Sequence, residues 1–174
     1  MKTEKLTKWQ TSHAVVVLCV REIPGQEKAV AMGLKTDGSV KGWVMPPGGR
    51  IEECDNGPIS AGHREVKEEV NLSTHGSSKV AEIRVSIQDK KIRVIVHVTM
   101  CTRWYGTLRN RKGSGLEWVK FIPFSQIPWD SIPTREKEWM ELVLFGNKKC
   151  IVWITCGKDR KDVRHVTTRT VEDL

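Results

Sequence analysis

Gly48-Gly49, followed after a short loop by Arg64-Glu65-Val66-Lys67-Glu68-Glu69, is the stretch on which the reading of this chain turns. Positions 65, 68 and 69 are spaced i, i+3 and i+4, so on an α-helix their side chains stand beside one another. Three like charges gathered in this way repel, and a helix alone gains nothing from them. A divalent cation offsets that cost, and hard cations such as Mg²⁺ prefer oxygen ligands. The stretch reads as a helix carrying a metal site for phosphate chemistry. The competing reading is a solvated helix face, its carboxylates paired with Arg64 and Lys67, and the glycine pair weighs against it.

Working outward, Pro58 suits the first turn of this helix, where its missing N–H is harmless. Residues 59–70 keep a helical pattern, and Asn71 accepts the left-handed cap conformation that would end it. Upstream, residues 14–20 are short, β-branched and uniformly apolar, which predicts a buried strand, and 28–34 predict a second. Residues 42–49 contain Pro46-Pro47 and must be extended before a turn. Downstream, 80–87 and 92–101 read as a hairpin around Asp89-Lys90, and 103–115 as a basic loop. A strand is expected at 117–123 and a second amphipathic helix at 135–145. Two last strands, 150–155 and 163–170, flank the charged turn 157–161. Strands with two separated helices, and no internal repeat or linker, predict a single mixed α+β or α/β domain over residues 1–174.

A chain of 174 residues suffices for one real core. Its net charge of +8 and pI near 9.4 favour an anionic partner, although many basic proteins have no nucleic-acid role. Cys19, Cys54, Cys101, Cys150 and Cys156 form no CxxC pair and leave one odd, which suits reduced thiols and a cytoplasmic location. The longest apolar run, 14–20, falls far short of the roughly 20 residues that span a bilayer, so no membrane role is expected. Residues 1–13 are polar and lack the apolar core of a secretory signal.

Gly49, the run Arg64 to Glu69, and Leu72 together resemble the Nudix box, Gx5Ex7REUxEExGU with U apolar. Trp43, Pro47-Gly48-Gly49 and Ala61 also look like that family. The loop is one residue longer than the pattern, with Cys54 and then Asp55 or Asn56 where a glycine and the loop glutamate are expected. Asn71 replaces the glycine after the paired glutamates, a mild change because the cap needs only φ > 0. The resemblance extends beyond the box. Residues 117–121 and Gln126-Ile127-Pro128 look like MutT-type enzymes. The final helix and hairpin are similar to enzymes that hydrolyse oxidised purine nucleoside triphosphates.

The resemblance implies a Nudix-type α/β/α sandwich on a mixed β-sheet, with a loop–helix–loop catalytic motif. It also implies hydrolysis of a nucleoside diphosphate linked to another moiety, with Mg²⁺ or Mn²⁺. Glu68 and Glu69 match the metal-binding pair, Glu65 a ligand or general base, and Gly48 a turn whose carbonyl completes the metal shell. Arg64 matches the arginine that orients carboxylates, and Glu117 a further metal-binding glutamate from a later strand. The expected product pair is a nucleoside monophosphate and pyrophosphate, from a nucleoside triphosphate, possible substrates including a modified purine nucleotide. Where the related enzymes read the base with an Asp pair or Asn, this chain has Thr134 and Arg135, then Glu136, which leaves the base open. Arg135 could donate twice to a purine edge carrying two acceptors. Arg50 is a further substrate-binding candidate, and Trp129 and Trp139 are candidates for stacking on a base, with helix-to-sheet packing as their alternative. His63 and Cys54 read as incidental neighbours of the box, and His97 as a core or cleft-lining residue. The alternatives are a Nudix enzyme for dinucleoside polyphosphates or RNA 5′ ends, which the basic loop Arg103, Arg109, Arg111 and Lys112 would favour, and a silent nucleotide-binding module. A monomer or a homodimer fits equally.

Overall fold

A computed structural model describes residues 8–174. In chain order its strands are β1 (Gln10–Arg21), β2 (Ala29–Lys35), β3 (Val44–Met45), β4 (Gly48–Arg50), β5 (Ser73–His75), β6 (Ser78–Ile87), β7 (Ile92–Cys101), β8 (Arg103–Tyr105), β9 (Leu116–Pro123), β10 (Lys149–Cys156) and β11 (Val163–Val171). Helix α1 (Pro58–Val70) lies between β4 and β5, and α2 (Thr134–Leu144) between β9 and β10. Among the described residues nine strands form one sheet in the order β11-β10-β6-β7-β1-β2-β3, with β4 beside β1 and β9 beside β2. The pairs β1–β7 and β6–β10 are parallel and the others antiparallel, so the sheet is mixed as expected.

The uniformly apolar run in β1 is explained by burial on both faces. Val15, Val17 and Cys19 join Ala61, Val66 and Val70 of α1 in one core. Leu18 and Val20 join Trp139, Met140 and Val143 of α2 in the other. The period-2 alternation of the strand thus sends successive side chains to opposite helices, giving the α/β/α layering. Helix α1 starts at Pro58 and ends at Asn71, whose φ of 63° and ψ of 24° are left-handed. Gly62 lets this helix settle onto the sheet: a Cβ there would stand 3.0 Å from Val17 and 3.3 Å from Thr99.

One stretch departs from its expected state. Residues 103–105, read as loop, form β8 and pair antiparallel with β5. The ribbon is held by Trp104, which stacks on Phe121 at 5.3 Å between ring centroids. Three residues are too short for a period-2 pattern to register, so the aromatic contact was the only signal.

Candidate active site

The site starts at the β1–β4 pairing, which sets Gly48 opposite Val16 and Gly49 opposite Val15. Both glycines are required by close approach. A Cβ on Gly48 would run into the Val15 carbonyl, and one on Gly49 into the Glu65 carboxylate. The glycine turn therefore makes room for the carboxylate of α1 that follows it in sequence.

Arg64 organises the loop and the helix together. Its Nε donates to Asp55 Oδ1 at 3.0 Å and its Nη2 to Asp55 Oδ2 at 2.8 Å, a two-pronged pairing of the kind arginine makes with carboxylates. Its Nη1 reaches Glu65 at 3.0 Å and Glu68 at 3.2 Å, and Nη2 also donates to the Arg50 carbonyl at 2.9 Å. The hydrogen bonds from Arg64 hold the Asp55 carboxyl below its ordinary range, and Asp55 in turn raises the basicity of Arg64. Of the two loop candidates, Asp55 is the one whose side chain meets Arg64, because a longer loop can still present one carboxylate to a fixed guanidinium.

Glu69 accepts from the Gly48 N–H at 3.0 Å and from Lys35 Nζ at 2.6 and 2.8 Å. The same ammonium lies 3.4 Å from the Gly48 carbonyl. Lys35, only 6 % exposed, stands at the site although nothing in the sequence marked it. A lysine ending an apolar strand carries no signal until the strand is placed beside the box. Burial raises the pKa of both Glu65 and Glu69; Arg64 opposes this at Glu65 and Lys35 at Glu69.

The donor set suits a hard cation. Oxygen atoms of Gly48 and Glu69 already converge on one positive charge, and Glu65 is desolvated beside them. Among the described residues no three His, Cys, Asp or Glu side chains gather on a single point. Lys35 holds Glu69, while Arg64 holds Glu65 and the exposed Glu68. Glu117 stands exposed at the start of β9, apart from the cavities that Glu65 and Glu69 line.

A cavity of about 560 Å³ opens from Gly48, Gly49, Glu65 and Glu69, a size within the usual range for small-molecule sites. Part of its wall is aliphatic, from Val40, Met45, Ile83, Val85 and Val96, and part is charged, from Arg50, Arg135, Glu136 and Arg160. Arg50 and Arg135, the sequence candidates for substrate binding, thus both line this cavity. Trp129 and Trp139 do not line it, and the packing alternative describes both. Trp139 is fully buried, with its indole N–H donating to Glu136 Oε2 at 2.7 Å. Trp129 packs toward Phe145 and Lys137, away from the cavity lining. Helical spacing put both on the packing side of their turns. A second cavity of about 300 Å³ joins Glu65, Glu68 and Glu69 to Arg111 and Lys112, so the basic loop stands over the carboxylates.

His63 exchanges a 3.1 Å hydrogen bond with Ser77, and His97 lines a neighbouring cavity, stacked on His13. All five cysteines are free, and Cys54 is the exposed one. No helix among the described residues is long and apolar enough to cross a membrane.

A turn of close-packed glycines, an arginine-held acid loop and a carboxylate helix over a ligand-sized cavity define a phosphate-handling enzyme of the loop–helix–loop kind. The NUDIX domain profile matches residues 11–143, and the chain belongs to the Nudix family. The fold is that of solved MutT-type structures. A mutator MutT protein from Bacillus halodurans superimposes with a TM-score of 0.70 at 13% identity, covering 94% of this chain and 99% of that one. A MutT protein from Methanosarcina mazei gives 0.63 at 16% identity, over 82% and 99%. The Nudix domain of Shewanella oneidensis NrtR, crystallised with ADP-ribose, also gives 0.63 at 16% identity, over 81% and 92%. No curated protein sequence matches the chain. The chain is thus a Nudix-family protein with the fold of the MutT structures.

Proposed function

We propose that residues 1–174 form one domain that hydrolyses a nucleoside triphosphate to the monophosphate and pyrophosphate, with Mg²⁺ or Mn²⁺, in the cytoplasm. The observation that carries this reading is the convergence of the Gly48 carbonyl and the Glu69 carboxylate on one cationic position at the mouth of a nucleotide-sized cavity. Glu65, Glu68, Glu69 and the Gly48 carbonyl are the groups that would hold the metal. Bound there, it would neutralise phosphate oxygens and lower the pKa of a water.

The protein's own residues supply the rest. Glu65, whose raised pKa lies nearer neutrality than a free carboxyl's, accepts the proton of the attacking water. Arg64 fixes Glu65 and Glu68 while anchored to Asp55. The attacking oxygen forms a bond to phosphorus as the bridging P–O bond breaks, and the pyrophosphate leaves. Arg50 meets the substrate in the cavity, whose aliphatic side chains offer an apolar surface to the nucleoside.

The test is pyrophosphate release from a panel of nucleotides with Mg²⁺ and Mn²⁺, in wild type, Glu68→Gln and Glu69→Gln. Loss of about 10²-fold or more in Glu69→Gln is expected. Equal rates in wild type and both variants would sink the catalytic reading.

A further inference from the structure

The main cavity contains a cluster of arginines that the carboxylate chemistry does not use. Arg50, Arg135 and Arg160 all line it, and Glu136 is the one carboxylate set among them. Arg135 is committed: its Nε donates to Glu136 Oε1 at 3.1 Å and its Nη1 to the Arg160 carbonyl at 2.7 Å. The other Glu136 oxygen is taken by Trp139. Among the described residues the Arg160 guanidinium, in the turn between β10 and β11, meets one hydrogen-bond partner, a hydroxyl: Nη1 donates to Ser39 Oγ at 3.1 Å.

The acids nearest to Arg160 in sequence are spent on the turn itself. Asp159 accepts the Lys161 and Asp162 N–H groups, and Asp162 accepts that of Lys158. Of the cavity's other carboxylates, Glu65 is held by Arg64 and Glu69 by Lys35, while Asp37 is exposed to solvent. Among the described residues neither Arg50 nor Arg160 has a carboxylate partner. Burial lowers the basicity of Arg160, Arg135 lowers it further and Arg50 adds to this, with Glu136 working the other way. A desolvated guanidinium beside two others, with one shared carboxylate, leaves positive charge that a ligand must balance. A neutral base edge offers dipoles but no charge. A phosphate offers both charge and paired oxygens that fit an arginine fork.

We propose that Arg160, together with Arg50, forms a second phosphate site in this cavity, with Arg135 as a positioning residue that holds Arg160 through its carbonyl. The substrate then carries a phosphate beyond the two joined by the bond that is cut. That phosphate comes either from a longer polyphosphate chain or from the sugar of the nucleoside. The site also reassigns recognition from Arg135, whose donors are largely occupied, to Arg160. It rests on the hydrolase reading above for its place in the reaction, but binding alone can test it.

The experiment compares ADP, ATP and adenosine 3′-phosphate 5′-diphosphate, with the guanine counterparts of each. Both kcat/KM with Mg²⁺ and calorimetric Kd in EDTA are measured, for wild type, Arg160→Gln, Arg160→Lys and Lys158→Gln. Wild type is expected to favour one of the compounds with the extra phosphate over the diphosphate by about tenfold or more, the scale of a charge-assisted hydrogen bond. Which compound is favoured identifies the source of the phosphate. Arg160→Gln should bring that preference to within about twofold, Arg160→Lys should leave it intermediate, and Lys158→Gln, on the exposed side of the same turn, should keep it. Arg135→Gln should raise KM for the favoured compound with little change in kcat. A wild type indifferent to the extra phosphate, or an Arg160→Gln variant that keeps the preference, overturns the proposal. So does an Arg160→Gln variant that loses only discrimination between guanine and adenine. Intact discrimination in EDTA without hydrolysis of any compound would defeat the hydrolase reading and leave the phosphate site standing.

Discussion

At the scale of single residues, the site is a set of carboxylates each held by a cation. Lys35 and Glu69 are 6 % and 12 % exposed, so their pairing belongs to the protein interior. Breaking one side of a buried pair leaves an uncompensated charge, at a cost of about 3–5 kcal/mol. Glu69→Gln keeps the shape and one dipole, so its cost should fall near the lower end, about 3 kcal/mol. In chemical denaturation, the Lys35→Met/Glu69→Gln double variant should then lose less than the sum of the singles, with a coupling of about 1 kcal/mol or more. Strict additivity would show that the two groups do not depend on each other. Gly49 makes a different prediction. Its missing Cβ is the space the Glu65 carboxylate occupies, so Gly49→Ala displaces Glu65 without removing it. A displacement of about 1 Å at a reacting group can cost on the order of 10²-fold in rate, so kcat should fall by that order while the far-ultraviolet spectrum stays unchanged. An unimpaired kcat would remove Glu65 from the chemistry.

At the scale of elements, α1 shows what the sequence revealed and what it withheld. Its start at Pro58 and its stop at Asn71 were legible, because fixed φ at one end and tolerance of positive φ at the other are properties of single residues. Asn71 holds φ at 63° and donates from Nδ2 to the Thr107 carbonyl at 3.2 Å. Asn71→Ala should therefore destabilise the fold by about 1–2 kcal/mol, the cost of a Cβ in the left-handed region. Asn71→Gly should come within about 0.5 kcal/mol of wild type, since relief at Cβ offsets the lost hydrogen bond. Thermal denaturation of the two variants decides this, and equal losses would mean that the Thr107 contact dominates. The three carboxylates and Arg64 were legible for the same local reason, as spacing on one helix. Lys35 and Arg160 were not. Each meets the cavity through strand pairing or a hairpin turn, so their roles depend on residues far away in sequence. For Trp139 the sequence left stacking and packing open, because an aromatic at helical spacing looks alike whether it faces ligand or core, and its full burial favours packing.

At the scale of the whole molecule, packing between helix α1 and the sheet leaves two histidines half-buried beside cationic or imidazole neighbours, which makes them expensive to protonate. His97 on β7 is 12 % exposed and stacks on His13 of β1, their ring nitrogens 3.2 Å apart. Burial lowers its pKa, the positive Lys79 and the neighbouring His13 lower it further, and Glu82 opposes them. Glu82 is itself shared between Lys79 and Arg84, so little of its charge is free for an imidazolium. His63 is likewise lowered, first by burial and then by His75. An unfolded histidine titrates near about 6.5. The native state keeps both rings neutral below that pH, whereas the unfolded chain takes up protons. Their contribution to stability is complete above about pH 6.5 and declines as the pH falls through the native pKa values. Glu65 and Glu69 act in the opposite sense, because their raised native pKa values let the folded state bind protons first. The histidine effect must therefore be read as a difference between proteins and not as a raw slope. Unfolding free energies at pH 7.5, 6.5 and 5.5 should show His97→Gln and His63→Gln losing less stability on acidification than wild type does. The two differences should add, since the rings occupy separate sites. Parallel pH profiles for wild type and both variants would place the acid sensitivity elsewhere in the fold.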